Sequence, residues 1–203
     1  MLYGCDYSPK SFGAIGPHCK IGPECVLVPA NMYLEDYVMI QNKVNFISSE
    51  GKLEIKKYSV ISSECVIIPG THLAAPGIPF YFQARDHYGD EHHTITIGED
   101  CWVGAASVLL YKSGLGRGCV VAAGSVVTKV FPPYAVIAGA PARIIGVKFS
   151  KEDIIKHEAA IYPETERLSE KEIDDLYERH YKGLKPMPKA ECGIPDWKTE
   201  TNH

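Results

Sequence analysis

The sequence predicts an all-β solenoid, and three regularities support this fold class. From Ile97 the chain divides without a gap into six six-residue units: IGEDCW, VGAASV, LLYKSG, LGRGCV, VAAGSV and VTKVFP. Each unit opens with an aliphatic residue, and the fifth position of the first five units is Cys or Ser. A period of six fits neither an α-helix nor plain strand alternation. It fits a coil that turns a corner every six residues and points one residue inward on each side.

The same frame occurs earlier in three shorter runs, which open at Ile15, Leu34 and Ile55. Joining these runs requires a one-residue slip near Tyr33 and a three-residue insertion around Leu53. Five of the seven cysteines occupy the fifth position of a unit: Cys19, Cys25, Cys65, Cys101 and Cys119. We therefore expect these thiols to be buried at the corners of the coil, where they pack rather than react.

Residues 73–96 interrupt the repeat and carry three of the eight histidines. A long segment inserted into a rigid repeat is a common place for binding and catalytic residues. We therefore expect functional residues in this excursion.

After Phe149 the pattern becomes helical. Ser150 and Ser169 each precede an acidic residue by three positions, which is typical of a helix N-terminus. The first helix is expected to end near Tyr162, and the second to extend from about Glu170 to Tyr181. The sequence thus predicts a coil domain over residues 1–149 and a helical extension with a tail over 150–203.

Composition excludes several classes of function. The net charge of −4 argues against nucleic acid or an anionic membrane as the main partner. The sequence contains neither a leader pattern nor an apolar stretch as long as a membrane span, and seven is an odd number of cysteines. A cytoplasmic protein with reduced thiols is expected. Lys129, Arg143 and Lys148 could hold a small phosphorylated ligand, although on charge alone a solvated surface is the simpler interpretation.

The repeat resembles that of the hexapeptide-repeat acyltransferases, especially the sugar and polysaccharide O-acetyltransferases. The most specific segment is CVVAAGSVVTKVFPPYAVIAGAPARII. The resemblance implies a left-handed parallel β-helix of about five coils, from Ile15 to Pro132, that assembles as a homotrimer with active sites at the subunit interfaces. It also implies an enzyme of polysaccharide biosynthesis that needs no metal and moves an acetyl group from acetyl-CoA to a hydroxyl, or an amine, of a sugar or glycoconjugate.

The resemblance identifies His87 as the general base, because it occupies the loop position ahead of the coil that contains Trp102. A neutral histidine suits this task, since its usual pKa lies near working pH. The family motif usually has an acidic residue after the histidine, whereas here Asp86 precedes it and Tyr88 follows. The sequence does not determine which group orients His87, and the candidates are Asp86, Asp90, Glu91 and a backbone carbonyl.

Four further residues are candidates for the acceptor pocket. The segment GDEHHTITIG resembles the loop of serine acetyltransferases, which makes His92 and His93 competitors for the base and candidate contacts of the acceptor. Tyr88 could stack on a sugar ring or fold the loop on itself. Trp102 could form the wall of the groove or serve a purely structural role.

For acetyl-CoA, the resemblance implies five contact residues, which lie in the segment AAGSVVTK and on either side of it. Ala105 and Ala123 would contribute backbone groups to the pantetheine arm. Thr128 and Lys129 would reach the nucleotide end, and Arg143 would bind a phosphate. A more distal basic position of the family falls near Gly146, and Lys148 is the candidate to replace it.

Two alternatives of other classes stay open. The γ-class carbonic anhydrases use the same repeat and bind zinc through three histidines. His87 and His92 have a suggestive spacing of five, but residues 20–71 contain no histidine. The second alternative is a non-catalytic trimeric scaffold. The loop histidine, the AAGSVVTK segment and Arg143 together favour the enzyme.

Overall fold

A computed structural model describes residues 7–48 and 50–189. Its coil consists of three sheets, which the chain visits in turn. Sheet A contains Ala14–Ile15, Met32–Leu34, Lys52–Ile55, Thr94–Ile97, Gly114–Leu115 and Val130–Phe131. Sheet B contains Lys20–Ile21, Met39–Ile40, Val60–Ile61, Trp102–Val103, Val120–Val121, Ala135–Ala138 and Arg143–Val147. Sheet C contains Asn45–Phe46, Val66–Ile67, Val108–Leu109 and Val126–Val127.

Strand pairing confirms the predicted repeat frame. All pairs within the three sheets are parallel except the last in sheet B, where Ala135–Ala138 and Arg143–Val147 are antiparallel. Ile15 pairs with Leu34 across the slip near Tyr33, and Leu34 pairs with Ile55 across the insertion around Leu53. The aliphatic residues that open the units are almost all buried, so each coil packs its inward side chains on the next.

The last unit of the predicted repeat is shorter than six residues. Phe131 pairs with Leu115 in sheet A, although only four positions separate it from Val127. The expectation of a full unit VTKVFP is therefore wrong. The chain passes directly from sheet C back to sheet A at Thr128 and Lys129, without the turn at Tyr111 and Lys112 that the preceding coil has at this corner.

The corners explain the residue preferences of the repeat. The fourth residue of a unit takes a left-handed conformation, for example Asp100 with φ of 53°. The glycines at the second position allow neighbouring coils to approach closely, since a Cβ on Gly98 would lie 2.6 Å from the backbone nitrogen of Arg117.

The cysteines at the fifth position are buried in four cases out of the predicted five: Cys19, Cys65, Cys101 and Cys119. Cys25 is only partly buried, which corrects the expectation. Its corner belongs to the first coil and is open to solvent, as the 62% exposure of the adjacent Val26 indicates.

The excursion from the repeat is shorter than predicted. Thr94–Ile97 already lies in sheet A, paired with Lys52–Ile55, so the excursion ends at His93 rather than at residue 96. An antiparallel pair of strands, Gly70–His72 and Asp90–His92, closes its base. Between these strands the segment contains one short helix, α1, at Phe80–Arg85.

The C-terminal region contains the two predicted helices. Helix α2 spans Lys151–Ile161 and helix α3 spans Glu170–Leu176, followed by a π-helical turn at Tyr177–Tyr181. Ser150 and Ser169 cap the two helices as expected. Short 3₁₀ helices occur at Pro9–Ser11, Pro29–Asn31 and Glu164–Glu166. None of the helices in the described residues is long and apolar enough to cross a membrane.

A buried carboxylate attaches this helical extension to the coil. Glu158 of α2 accepts hydrogen bonds from Arg117 Nη1 at 2.8 Å, from the Tyr134 hydroxyl at 2.5 Å and from the Leu168 backbone nitrogen at 3.0 Å. Asp100, at a corner of the coil, contacts His157 of α2 at 2.9 Å. The extension therefore packs against the corner between sheets A and B, away from the excursion.

Candidate active site

The excursion holds His87 on a turn that immediately follows α1. The helix buries Gln83, whose Oε1 accepts a hydrogen bond from the Ala75 backbone nitrogen, and exposes its aromatic side chains. The chain then turns at His87, whose φ of 52° is uncommon for a residue with a side chain. The other non-glycine residues with positive φ in the described residues lie at coil corners. The left-handed backbone of His87 therefore belongs to the loop and not to the repeat. Residues in such sparsely populated conformations often lie at functional sites.

Asp90 is the partner of His87. Its Oδ2 lies 2.8 Å from His87 Nδ1. Because a carboxylate only accepts hydrogen bonds, the neutral imidazole carries its proton on Nδ1 and keeps a lone pair on Nε2. The His87 side chain is 65% exposed, so solutes can reach this lone pair.

The other three candidates for orienting His87 are occupied elsewhere or absent from its contacts. Asp86 forms a two-point ion pair with Arg85, at 2.7 and 3.0 Å. Glu91 accepts a hydrogen bond from the Tyr111 hydroxyl, which lowers the pKa of its carboxyl, and it also lies 3.7 Å from Lys112 Nζ. The hydrogen bond at His87 Nδ1 is to Asp90, not to a backbone carbonyl.

Asp90 binds a second imidazole as well. Its Oδ1 lies 2.5 Å from His72 Nδ1, and its side chain is only 7% exposed. The hydrogen bond with His87, together with the one from His72, lowers the pKa of the Asp90 carboxyl below its usual value. Sequence analysis left His72 without a role. The signal that could have identified it is the pairing of the two strands that flank the excursion, since Asp90 lies directly opposite His72.

His87, His72 and Asp90 line one cavity of about 460 Å³ between the excursion and the early coils. The facing wall is mostly apolar and belongs to sheet C and its corners: Val26, Val28, Phe46, Ile47 and Ile68. A site with a few convergent polar groups opposite an apolar wall is typical of small-molecule binding.

The four candidate acceptor residues occupy different places. His92 lines the cavity with His87, and its Nδ1 is buried without a hydrogen-bond partner among the described residues. His93 lies outside this cavity, with its ring against that of Tyr111. Tyr88 is exposed and does not line the cavity. Trp102 lies on sheet B, where its indole nitrogen donates to Ser62 Oγ at 3.0 Å.

The five residues expected to bind acetyl-CoA are exposed on the late coils. Ala105 and Ala123 lie at the corner between sheets B and C, where Gly124 N donates to Ala105 O at 2.8 Å. Thr128 and Lys129 lie on the opposite edge of sheet C. Arg143 begins the last strand of sheet B and follows Ala142, whose backbone nitrogen donates to Val126 O at 2.8 Å. None of the five lines the cavity of His87.

Lys148, the candidate to replace the missing basic residue near Gly146, forms an ion pair within the chain. Its Nζ lies 2.5 Å from Asp100 Oδ2 and 3.2 Å from the Asp100 carbonyl, and the side chain is mostly buried. By contrast, neither Lys129 nor Arg143 forms an ion pair within the described part of the chain. Lys129 Nζ lies 5.3 Å from the Phe131 ring, and Arg143 Nη1 donates to the carbonyls of Pro141 and Ala142.

A zinc site of the carbonic anhydrase type requires several ligands at one point. Across residues 7–48 and 50–189, no group of three or more His, Cys, Asp or Glu side chains has an arrangement that could hold a metal ion.

Comparison with known proteins identifies the family. A family profile described as a hexapeptide repeat of succinyl-transferase matches residues 94–129. Galactoside O-acetyltransferase of Escherichia coli K12 is 33% identical over 102 residues, which cover 50% of each chain. WcaF of the same organism, named as a colanic acid biosynthesis acetyltransferase, is 31% identical over 145 residues, 70% of this chain and 74% of the relative. The chain therefore spans about half of the first relative and about three quarters of the second.

A solved structure supports the same assignment at the level of the fold. A galactoside acetyltransferase in complex with coenzyme A superposes with a TM-score of 0.62 at 22% identity, over 71% of this chain and 69% of that one. Such neighbours indicate that the three-sheet coil is a left-handed parallel β-helix. The chain belongs to the hexapeptide-repeat family of acetyltransferases.

Proposed function

We propose that this protein, a β-helix of about five coils, transfers an acetyl group from acetyl-CoA to a hydroxyl of a sugar or glycoconjugate, with His87 as the general base. The observation that carries the proposal is the His87–Asp90 hydrogen bond at the edge of the 460 Å³ cavity. It combines a free Nε2 with a cavity large enough for a small acceptor. WcaF, named for colanic acid biosynthesis, is matched over 74% of its length, whereas chloramphenicol acetyltransferases, at 32–41% identity, are matched over only 36–37% of theirs. We therefore favour a sugar hydroxyl over a xenobiotic alcohol as the acceptor.

The chain's own residues account for the proton transfers. Acetyl-CoA supplies, when bound, an acetyl thioester that a nucleophilic oxygen can attack. His87 Nε2 accepts the proton of the acceptor hydroxyl as its oxygen attacks the thioester carbonyl, and it later returns the proton to the departing sulfur. Asp90 keeps the Nδ1–H bond throughout, which holds the ring in one tautomer and stabilises the imidazolium that forms.

The late coils suit the co-substrate. Lys129 and Arg143 are exposed cations that no described carboxylate neutralises, as the phosphates of acetyl-CoA require. The guanidinium of Arg143 can offer two parallel N–H bonds to phosphate oxygens. Ala105 and Ala123 have small side chains at a corner, which leave backbone groups accessible to an extended chain such as pantetheine.

We further propose that the site is completed by a second copy of the chain in a homotrimer. The family resemblance suggests this arrangement. The separation of the two groups of residues supports it, because the acetyl-CoA candidates do not line the cavity of His87 within one chain. Light scattering should report about three times the mass of the chain, and a monomer at micromolar concentration would contradict the shared site.

Product analysis tests the proposed reaction. The protein is incubated with acetyl-CoA and a panel of sugars, nucleotide sugars and xenobiotic alcohols, and products are identified by mass spectrometry. The proposal predicts an O-acetylated sugar. Acetylation of xenobiotic alcohols alone would place the acceptor in another class. Absence of acetyl-CoA binding by calorimetry would favour the non-catalytic scaffold.

A further inference from the structure

The reaction above leaves the imidazole of His72 unused, although it lines the same cavity as His87. Its Nδ1 contacts Asp90 Oδ1 at 2.5 Å, while Asp90 Oδ2 contacts His87 Nδ1 at 2.8 Å. One carboxylate thus joins two imidazoles through its two oxygens. Both histidines and the aspartate line the same cavity.

We propose that His72 is a positioning residue, which fixes the Asp90 carboxylate so that its second oxygen meets His87. This inference rests on the proposed role of His87. A carboxylate with one free oxygen can rotate about its last side-chain bond and bind either partner with either oxygen. With Oδ1 held by His72, only Oδ2 is available to His87, and its position is fixed.

The backbone gives His72 the rigidity that this role needs. His72 ends the strand Gly70–His72, which continues directly from sheet C through Pro69. Asp90 lies opposite His72 in the antiparallel pair, and such directly opposed side chains are close neighbours. His87, in contrast, lies on an exposed turn of the excursion. The hydrogen bonds therefore connect the exposed catalytic turn, through Asp90, to a residue next to the coil.

The charged groups around this unit do not offer Asp90 a different partner. Asp86 and Arg85 pair with each other, and Glu91 pairs with Tyr111 and Lys112. The wall that sheet C contributes to the cavity contains no charged side chain. His92 lines the same cavity without a hydrogen bond to Asp90. It is therefore a matched control for His72.

Two substitutions of His72 distinguish positioning from a general structural role. The amide nitrogen of Asn lies near the position of Nδ1 in histidine, whereas the amide of Gln reaches further, toward the position of Nε2. We expect His72→Asn to keep the bond to Asp90 and His72→Gln to lose it. Both replacements are polar and of similar size, so the comparison does not depend on one disruptive variant.

The measurement is the tautomer of His87, read from long-range ¹H–¹⁵N correlation spectra of histidine-labelled protein at about pH 8, above the usual titration range of imidazole. The parent, His72→Asn and the control His92→Asn should show a single Nδ1–H tautomer. His72→Gln should show a mixture, and its kcat should fall by roughly 10-fold, as is usual when the partner of a functional side chain is lost. Its KM for acetyl-CoA should stay unchanged.

An unchanged His87 tautomer in His72→Gln would overturn the proposal. The spectra need no acceptor, so they test His72 separately from the reaction. If the tautomer responds as predicted while the parent shows no acetyl transfer, the proposed function fails and the positioning of His87 by His72 stands.

Discussion

The chain leaves its six-residue repeat at two places, and these two regions bury their side chains in opposite ways. The helical extension after Phe149 buries apolar residues such as Ile154, Tyr162 and Ile173 together with the charged Glu158. The excursion at 73–93 buries Gln83 and exposes its large apolar side chains: Leu73, Ile78, Phe80, Tyr81, Phe82 and Tyr88. One region adds to the packed core, and the other borders an open cavity.

The polar groups of the two regions differ in the same way. In the extension, Glu158 is fully enclosed by donors from the coil and from its own region. In the excursion, the Asp90 carboxylate is shielded, but the imidazoles that it binds are exposed, His87 most of all. A hydrogen-bonded group that stays accessible can take part in chemistry, whereas an enclosed one stabilises. A break in the repeat therefore shows where a segment has been added to the coil. The burial of that segment's polar groups then distinguishes a stabilising segment from one that can take part in chemistry.

The largest expected effect on folding is at Glu158. Glu158→Ala should lower the free energy of unfolding by about 3–5 kcal/mol, because Arg117, the buried Tyr134 hydroxyl and the Leu168 backbone nitrogen all lose the acceptor that they share. Chemical denaturation at fixed protein concentration measures the change. Glu164→Ala, an exposed position in the same extension, is the matched control and should change stability by less than about 0.5 kcal/mol. Equal effects of the two substitutions would show that the enclosed Glu158 does not stabilise the fold. The contrast between a stabilising extension and an open excursion would then be lost.

A smaller effect is expected at the exposed cations of the late coils, which we propose to bind acetyl-CoA. Arg143→Ala and Lys129→Ala should each weaken acetyl-CoA binding by about 1.5–3 kcal/mol, roughly one to two decades, through loss of a charge-assisted contact. Calorimetry measures the affinity. Lys182→Ala, at an exposed lysine of the extension, should bind as the parent does. Parent-like binding by both test variants would place the acetyl-CoA groove elsewhere.

Sequence analysis predicted the coil in detail because burial imposes a strict spacing. Each unit needs an inward aliphatic residue and a small corner residue, so the frame and both of its irregularities near Tyr33 and Leu53 could be found. The helix caps at Ser150 and Ser169 are local signals as well. The short last unit was not predicted: the frame places Pro133 in sheet A, whereas Phe131 takes that place and pairs with Leu115.

The site was less predictable because its contacts join residues far apart in sequence. His87 could be proposed as the base from its loop, but its partner depended on which carboxylate the turn brings to Nδ1. Asp86 is adjacent in sequence and pairs with Arg85 instead. His72 and Asp90 are 18 positions apart, and only the pairing of their strands brings them together. Lys148 was a candidate contact for a phosphorylated ligand, and its ion pair with Asp100, 48 positions earlier, could not be predicted from the sequence.

The accessibility of the thiols tests whether the interior of the coil is closed to solvent. This experiment measures labelling, and no change in activity is expected. Cys19, Cys65, Cys101 and Cys119 should resist alkylation in the native protein and react after unfolding, because they are buried. Cys25, half-buried, should react at an intermediate rate. Cys5 and Cys192, which the sequence predicts to react first, lie outside the described residues. Mass spectrometry counts the labels, and rapid labelling of all seven thiols would contradict the repeat frame.

The most direct test of the account is the turnover of His87→Ala. Loss of a positioned base should reduce acetyl transfer by roughly 10²–10⁴-fold. Acetyl-CoA affinity and thermal stability should stay close to those of the parent, because the side chain is exposed and its turn lies outside the coil core. His92→Ala and His93→Ala are the controls on the same segment. Near-full turnover in His87→Ala, with loss of turnover in either control, would contradict the assignment of the base and with it the function of the excursion.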